Sequence, residues 1–315
     1  MVRTHIPQSY RENLVVVGLG EVLWDLLPGG KKFGGAPANF AYHAKALGAE
    51  AYVVSCVGAD ALGSEILREL DALRLNRDYV AVDAEHPTGT VSVELDAGGK
   101  PTYIIHQNVA WDFLRLQAEM VGLAQRADAV CFGSLAQRSA MSRAAIRDFV
   151  TATRPDCLRI FDINLRQHYF DADTIIASLQ WATVLKLNDE ELPVVARLLS
   201  IEGTDKEMLS TLCRRFNLGL IALTMGGQGA MLFSPEACAV QPGLPVEVAD
   251  TVGAGDAFTA ALAVGLLQRR DLDAINRHAN RVACYVCGQP GATPPMPPGL
   301  IGTKGTGTVF ADGAP

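Results

Sequence analysis

Several things are missing from this sequence, and each absence removes a class of protein. No apolar stretch reaches the roughly 18 to 20 residues that a helix needs to cross a bilayer. The polar segment 1–13 lacks the apolar core of a signal peptide. The net charge is -7 and no run of lysines or arginines interrupts it, so neither nucleic acid nor a membrane surface is an expected partner. A polyanionic ligand must then be held by local groups and a metal ion rather than by the overall field. The phosphate loop G-x-x-x-x-G-K-[ST] is absent. Gly18-Leu-Gly20 follows the first apolar run but has no third glycine three residues later, so a dinucleotide fingerprint is unsupported. Seven cysteines, an odd number in apolar surroundings, read as reduced thiols of a cytoplasmic protein. Cys284-Tyr-Val-Cys287 has no second pair with which to complete a zinc site. No internal repeat is present.

What is there is enough for a large core. Of 315 residues 49% are hydrophobic, which suits one main α/β domain. Short apolar runs at 14–20, 51–57, 129–132, 158–161, 183–187 and 218–223 read as buried strands, and helical stretches alternate with them. Helices are expected over 40–47, from Gly58 to about residue 73, over 141–152, from near Gly255 through 257–267, and over 272–287. That alternation predicts a three-layer sheet with helices on both faces and ligand sites at the strands' carboxyl ends. Residues 88–94 and 101–106 read as a β-hairpin turning at Gly98-Gly99, and 230–233 as a paired strand.

The chain's chemistry gathers around Asp250-Thr251-Val252-Gly253-Ala254-Gly255-Asp256. Glycines let successive N–H groups converge on one point, and the helix that follows adds about half a positive charge at its start, so an anion is attracted there. A carboxylate beside such a site repels the ligand unless it has a task. The task that fits Asp256 is accepting a proton from an attacking hydroxyl. The plainer alternative is a turn in which Asp256 caps the helix.

Other strand ends carry further candidates. Asp25 lies among large apolar residues and can take two sugar hydroxyls, or serve a surface turn. Gly34, Gly35 and Asn39 introduce a helix that stops at Gly48; the glycines permit close approach and Asn39 offers a donor and acceptors. Asp162-Ile-Asn164-Leu-Arg166 ends a strand with polar groups that packing does not call for; Arg166 either meets a substrate oxygen or pairs with Asp162. Asn188 and Glu191 close the next strand, and Thr224, Gly226 and Gly229 the one after. Trp111 and Phe113 either floor a ligand or pack.

The string D-T-x-G-A-G-D before an apolar helix resembles the signature of the ribokinase-like (PfkB) carbohydrate kinases, and matching segments occur in order over residues 14–297. The resemblance implies a ribokinase-like fold over 14–298 with a small β lid from about 21–33 and 86–108; the plainer use of the hairpin is a homodimer contact, and both can hold, while residues 299–315, rich in Gly and Thr, read as a loose tail. It implies that Asp25, Gly34, Gly35 and Asn39 hold a sugar, with Asn164 and Arg166 nearby. Asn188 and Glu191 would organise waters around Mg²⁺, while Thr224, Gly226 and Gly229 line ATP and Asn276, His278 and Asn280 border adenine. Gly253, Ala254 and Gly255 would stabilise the transferring group, with Asp256 as base and K⁺ near Asp250 and Thr251. G-E-x-L-x-D-x-x-P and D-x-N-x-R look most like bacterial fructokinases, so fructose is the first acceptor. Ketodeoxygluconate, ribose, a nucleoside, or a non-catalytic sugar-binding role stay open.

Overall fold

Continuous apolar runs bounded by polar ends make strands that are covered on both faces. In the computed structural model, which describes residues 13–27, 29–95 and 101–301, those runs form one large sheet. The turn at Gly98-Gly99 and the tail beyond residue 301 lie outside the described residues.

In chain order, β1 (Val15–Leu19) is followed by the hairpin β2 (Leu23–Leu27) and β3 (Gly30–Gly34), then α1 (Ala36–Ala46), β4 (Glu50–Gly58) and α2 (Ala61–Ala72). Next come β5 (Val80–Asp83), the hairpin β6 (Thr90–Leu95) and β7 (Pro101–Ile105), and α3 (Ala118–Arg126). The second half runs β8 (Ala129–Phe132), α4 (Ala140–Ala152), β9 (Leu158–Asp162), α5 (Ala172–Trp181), β10 (Val184–Asn188), α6 (Glu191–Leu198), α7 (Asp205–Phe216) and β11 (Leu220–Thr224). It closes with β12 (Ala230–Phe233), β13 (Cys238–Gln241), α8 (Ala254–Leu267) and α9 (Leu272–Cys287).

The main sheet has the order β13-β12-β11-β10-β9-β8-β1-β4-β5. Its strands are parallel from β11 to β5, and β12 and β13 are antiparallel. Alternation along each strand feeds two cores. Val15, Val17 and Leu19 of β1 join the core under α3 to α7, while Val16 joins the core under α1, α8 and α9. Helix α8 shows the consequence most plainly. Eleven of its residues, Ala257 through Leu267, are buried, because it lies between the sheet and its neighbours α1 and α9. Polar punctuation sets the helix starts elsewhere: Asp60 accepts from Gly63 N, Asp171 from Thr174 N and Asp271 from Ala274 N.

The second sheet is small, with the order β3-β2-β6-β7. Its parallel β2–β6 pairing brings together two hairpins that are far apart in sequence. Among the described residues no helix is long and apolar enough to cross a membrane.

Candidate active site

From β1 the sheet grows through β4 to β5; the chain then returns to β8 on β1's other side and grows away from it. Loops leaving β1 and β8 therefore diverge, and a crevice opens at the strands' carboxyl ends. A cleft of about 1270 Å³ occupies that place, with the small sheet contributing one wall.

The anion turn lies in it. Gly253 caps α8 with left-handed φ 80° and ψ -9°. A Cβ there would come within 2.6 Å of Ala292 O, so both the backbone angle and the space demand glycine. Ala254 N reaches its nearest turn partner, Thr251 O, only at 3.4 Å. Gly253, Ala254, Gly255 and Asp256 all line the cleft. Asp256 Oδ2 accepts from Asn39 Nδ2 at 2.8 Å, so the first turns of α1 and α8 meet. Burial pushes the Asp256 carboxyl up to about 6, with Asp162 adding to the rise; the Asn39 hydrogen bond, Lys186 and Arg166 pull the other way. A carboxylate with that value is ionised at neutral pH and still basic enough to take a proton.

Beneath the turn is a charge pair that sequence reasoning missed. Lys186 Nζ of β10 meets Asp162 Oδ1 of β9 at 3.0 Å, their side chains 8% and 6% exposed, and Thr259 Oγ1 of α8 donates to Asp162 Oδ2 at 2.9 Å. A Cβ on Gly255 would lie 3.1 Å from Lys186 Nζ, which measures how closely this cation underlies the turn. Burial works to lower the Lys186 ammonium, yet Asp162, Glu191 and Asp256 hold it above its ordinary value. Its signal was visible as a lone lysine inside an apolar strand. Glu21, just past β1, is the second omission. Burial pushes its carboxyl up to about 7, and Oε2 is buried without a partner.

Since Lys186 holds Asp162, the alternative pairing of Asp162 with Arg166 does not form. Arg166 lines the cleft, donating to Leu165 O at 3.1 Å, and Asn164 lines it too. Asp25 is on β2, in register with Lys32 of β3. A Cβ on Gly34 would fall 2.6 Å from Asp25 Oδ2, so the bare glycine leaves room for the carboxylate. Burial raises the Asp25 carboxyl, as does Asp250, against Arg166 and Lys32. Gly35, the residue before α1, also borders the cleft. Trp111 and Phe113 pack: Trp111 is 1% exposed beneath the Arg138 guanidinium, and Phe113 stacks on His86.

On the other side, Thr224, Gly226, Gly229 and Asn280 line the cleft. Asn276 does not. Its Nδ2 donates to Ala230 O and Ala239 O, each at 3.0 Å, so it ties α9 to β12 and β13, and the expectation of an adenine contact is corrected. His278 is likewise turned away, bonded to Leu300 O at 2.9 Å. Its place as a wall is taken by Leu244, Val246, Val248 and Val252, apolar and 40–58% exposed along the loop before the turn.

Asn188 and Glu191 form a reciprocal turn. Asn188 N donates to Glu191 Oε2 and Glu191 N to Asn188 Oδ1, both at 2.8 Å, and Leu165 N donates to Glu191 Oε1 at 2.8 Å. Glu191 is buried behind the cleft as a brace, whereas Asn188, Asp189 and Glu190 reach it. This oxygen-rich edge fits Mg²⁺ held through waters, the usual manner of that ion. Among the described residues no three His, Cys, Asp or Glu side chains form a metal cage. A potassium ion at Asp250 fits less well, since Oδ2 already accepts from Lys32 Nζ at 2.9 Å and Gly291 N at 3.2 Å.

Comparison with known proteins identifies the family. A profile described as pfkB family carbohydrate kinase matches residues 28–298. A relative described as a sugar kinase of Pyrococcus horikoshii is 29% identical, covering 88% of this chain and 91% of that one. The fructokinase of Klebsiella pneumoniae is 30% identical over 79% of this chain and 83% of its own. Among solved structures, a sugar kinase of Pyrococcus horikoshii in complex with ATP superposes with a TM-score of 0.75 at 28% identity, covering 89% of this chain and 94% of that one.

Proposed function

Because the chain belongs to the pfkB family of carbohydrate kinases and is an ATP-dependent member of it, we propose that it phosphorylates a hydroxyl of fructose. The observation that carries the reading is the Asn39–Asp256 contact beside the Gly253–Gly255 turn, where a base and an anion site share one small volume. Phosphoryl transfer leaves little covalent work to a protein, so positioning and charge stabilisation dominate.

Asp25, Gly34, Gly35 and Asn39 hold the acceptor, with Asn164 and Arg166 at its edge. Asp256 receives the hydroxyl proton as the oxygen attacks. Backbone N–H groups of Gly253, Ala254 and Gly255, backed by the Lys186 ammonium and the start of α8, stabilise negative charge on the group in transit. Thr224, Gly226 and Gly229 line the nucleotide phosphates, Asn280 and the Val246–Val248 wall its base. When bound at Asn188, Asp189 and Glu190, Mg²⁺ would supply neutralisation of phosphate charge. The small sheet acts as a lid that excludes water.

Fructose comes first because the relative at 30% identity is a fructokinase, and because G-E-x-L-x-D-x-x-P is intact at Gly20, Glu21, Leu23, Asp25 and Pro28. A coupled ADP-release screen with fructose, ribose, ketodeoxygluconate and adenosine tests it. The highest kcat/KM is expected with fructose. A higher value for another acceptor overturns the substrate, and no acceptor-dependent ADP release overturns the catalytic reading of the site.

A further inference from the structure

Among the described residues, an ion pair joins the small sheet to the anion turn. Lys32 Nζ of β3 meets Asp250 Oδ2 at 2.9 Å, between residues 218 positions apart. Asp250 is a junction in its own right. Its Oδ1 accepts from Val252 N at 3.1 Å, at the entry to the turn, and its Oδ2 accepts from Gly291 N, whose neighbour Ala292 presses against Gly253. Lys32, on its side, sits in register with Asp25 at the acceptor end. An exposed ion pair between two free side chains contributes little. Here the carboxylate is 16% exposed and pinned by two backbone donors, so the ammonium, on a side chain 48% exposed, closes onto a prepared receptor.

We propose that Lys32 is a positioning residue that clamps the lid to Asp250, so that the anion turn and the acceptor strand are set in place together. The proposal rests on the anion-turn assignment above. It also gives the ammonium the place of a monovalent cation: the positive charge that the resemblance expected from potassium is supplied by the chain itself.

The test uses the full chain and the variants Lys32→Met, Lys32→Arg, Asp250→Asn and the double Lys32→Met/Asp250→Asn. Phosphorylation of the best acceptor is measured in potassium and in lithium salts, with melting curves to confirm folding. Lys32→Met is expected to raise the acceptor KM and lower kcat together, by roughly two- to fivefold in kcat/KM. Lys32→Arg recovers most of the loss, and the double variant is no worse than the poorer single, as for two ends of one contact. Equal parent rates in the two salts, with a potassium preference appearing in Lys32→Met, complete the expected pattern. Unchanged kinetics in Lys32→Met, losses that multiply in the double variant, or a potassium-dependent parent overturn the clamp. If Asp250→Asn does not fold, the Met and Arg variants decide. Amide hydrogen exchange needs no turnover and so separates this idea from the kinase reading. Faster exchange over both 23–34 and 250–255 in Lys32→Met supports the clamp even where no sugar is phosphorylated; unchanged exchange in either segment overturns it.

Discussion

At Asp256 stability and chemistry oppose one another. Its carboxyl titrates at about 6 in the folded protein against 3.8 for an ordinary aspartate. The folded state therefore binds more protons than the unfolded chain across that window, and the stability contributed by this group falls as pH rises from about 4 to 6. At neutral pH the ionised group is a cost to the fold. Asp256→Asn should accordingly lower turnover by roughly 10² to 10⁴ while the melting midpoint at pH 7 stays level or rises. The parent's kcat/KM should climb along an acid limb near 6 as the carboxyl loses its proton. Undiminished turnover in the Asn variant, or a limb that survives unshifted in its residual rate, ends the general-base assignment. Asn39 keeps the value from climbing further, since its amide N–H bonds the charged form more strongly than the neutral one.

At the scale of elements, the difference between Asn276 and Asn280 shows how one helix serves two purposes. They are one turn apart on α9, and Asn280 Nδ2 bonds Asn276 Oδ1 at 2.8 Å. Asn280 lines the cleft, and Asn276 is fully buried against the sheet edge, where its amide donates to two strand carbonyls. Asn276→Ala should destabilise the fold by about 1–3 kcal/mol, because two buried hydrogen bonds are lost, with kcat of the folded fraction close to the parent's. A kcat collapse without loss of stability, measured by denaturant melts beside steady-state assays, would return Asn276 to the nucleotide. The small sheet follows a different logic. Its hairpin β6–β7 was legible from alternation in sequence, but β2 and β3 were not assigned as strands. β2 pairs with β6 through a parallel contact that no local pattern encodes, and β3 joins the sheet only through β2. Similarly β13 was missed, a four-residue edge strand with Cys238 and Val240 exposed, too short for its pattern to set it apart from a loop.

Taken whole, the molecule is a large sheet with a small sheet walling one side of its cleft, the place proposed for the ligands. Ligand binding to the folded state alone raises stability, by about 2.7 kcal/mol at a hundredfold excess over Kd. If the lid closes on acceptor and nucleotide together, fructose with a non-hydrolysable ATP analogue should shift the melting midpoint by more than the sum of the separate shifts. A merely additive shift argues that the two sites are independent and that the small sheet does not close over both.

What the sequence determined by itself was the arrangement that local pattern carries. Apolar runs marked β1, β4, β8, β9, β10 and β11, glycine and apolar spacing marked the start of α8, and polar residues at strand ends marked Asp25, Asn164, Arg166, Asn188 and Thr224 as facing one edge. Those features depend on periodicity and backbone freedom, which neighbouring residues set. Tertiary structure alone decided that Lys186 lies under Gly255, that Glu21 is buried and its carboxyl pushed up, that Glu191 braces rather than faces the cleft, and that Lys32 reaches Asp250. The reason is physical: burial and charge pairing act through space between segments distant along the chain, and a residue's own neighbours in sequence do not say which of its atoms will lose water.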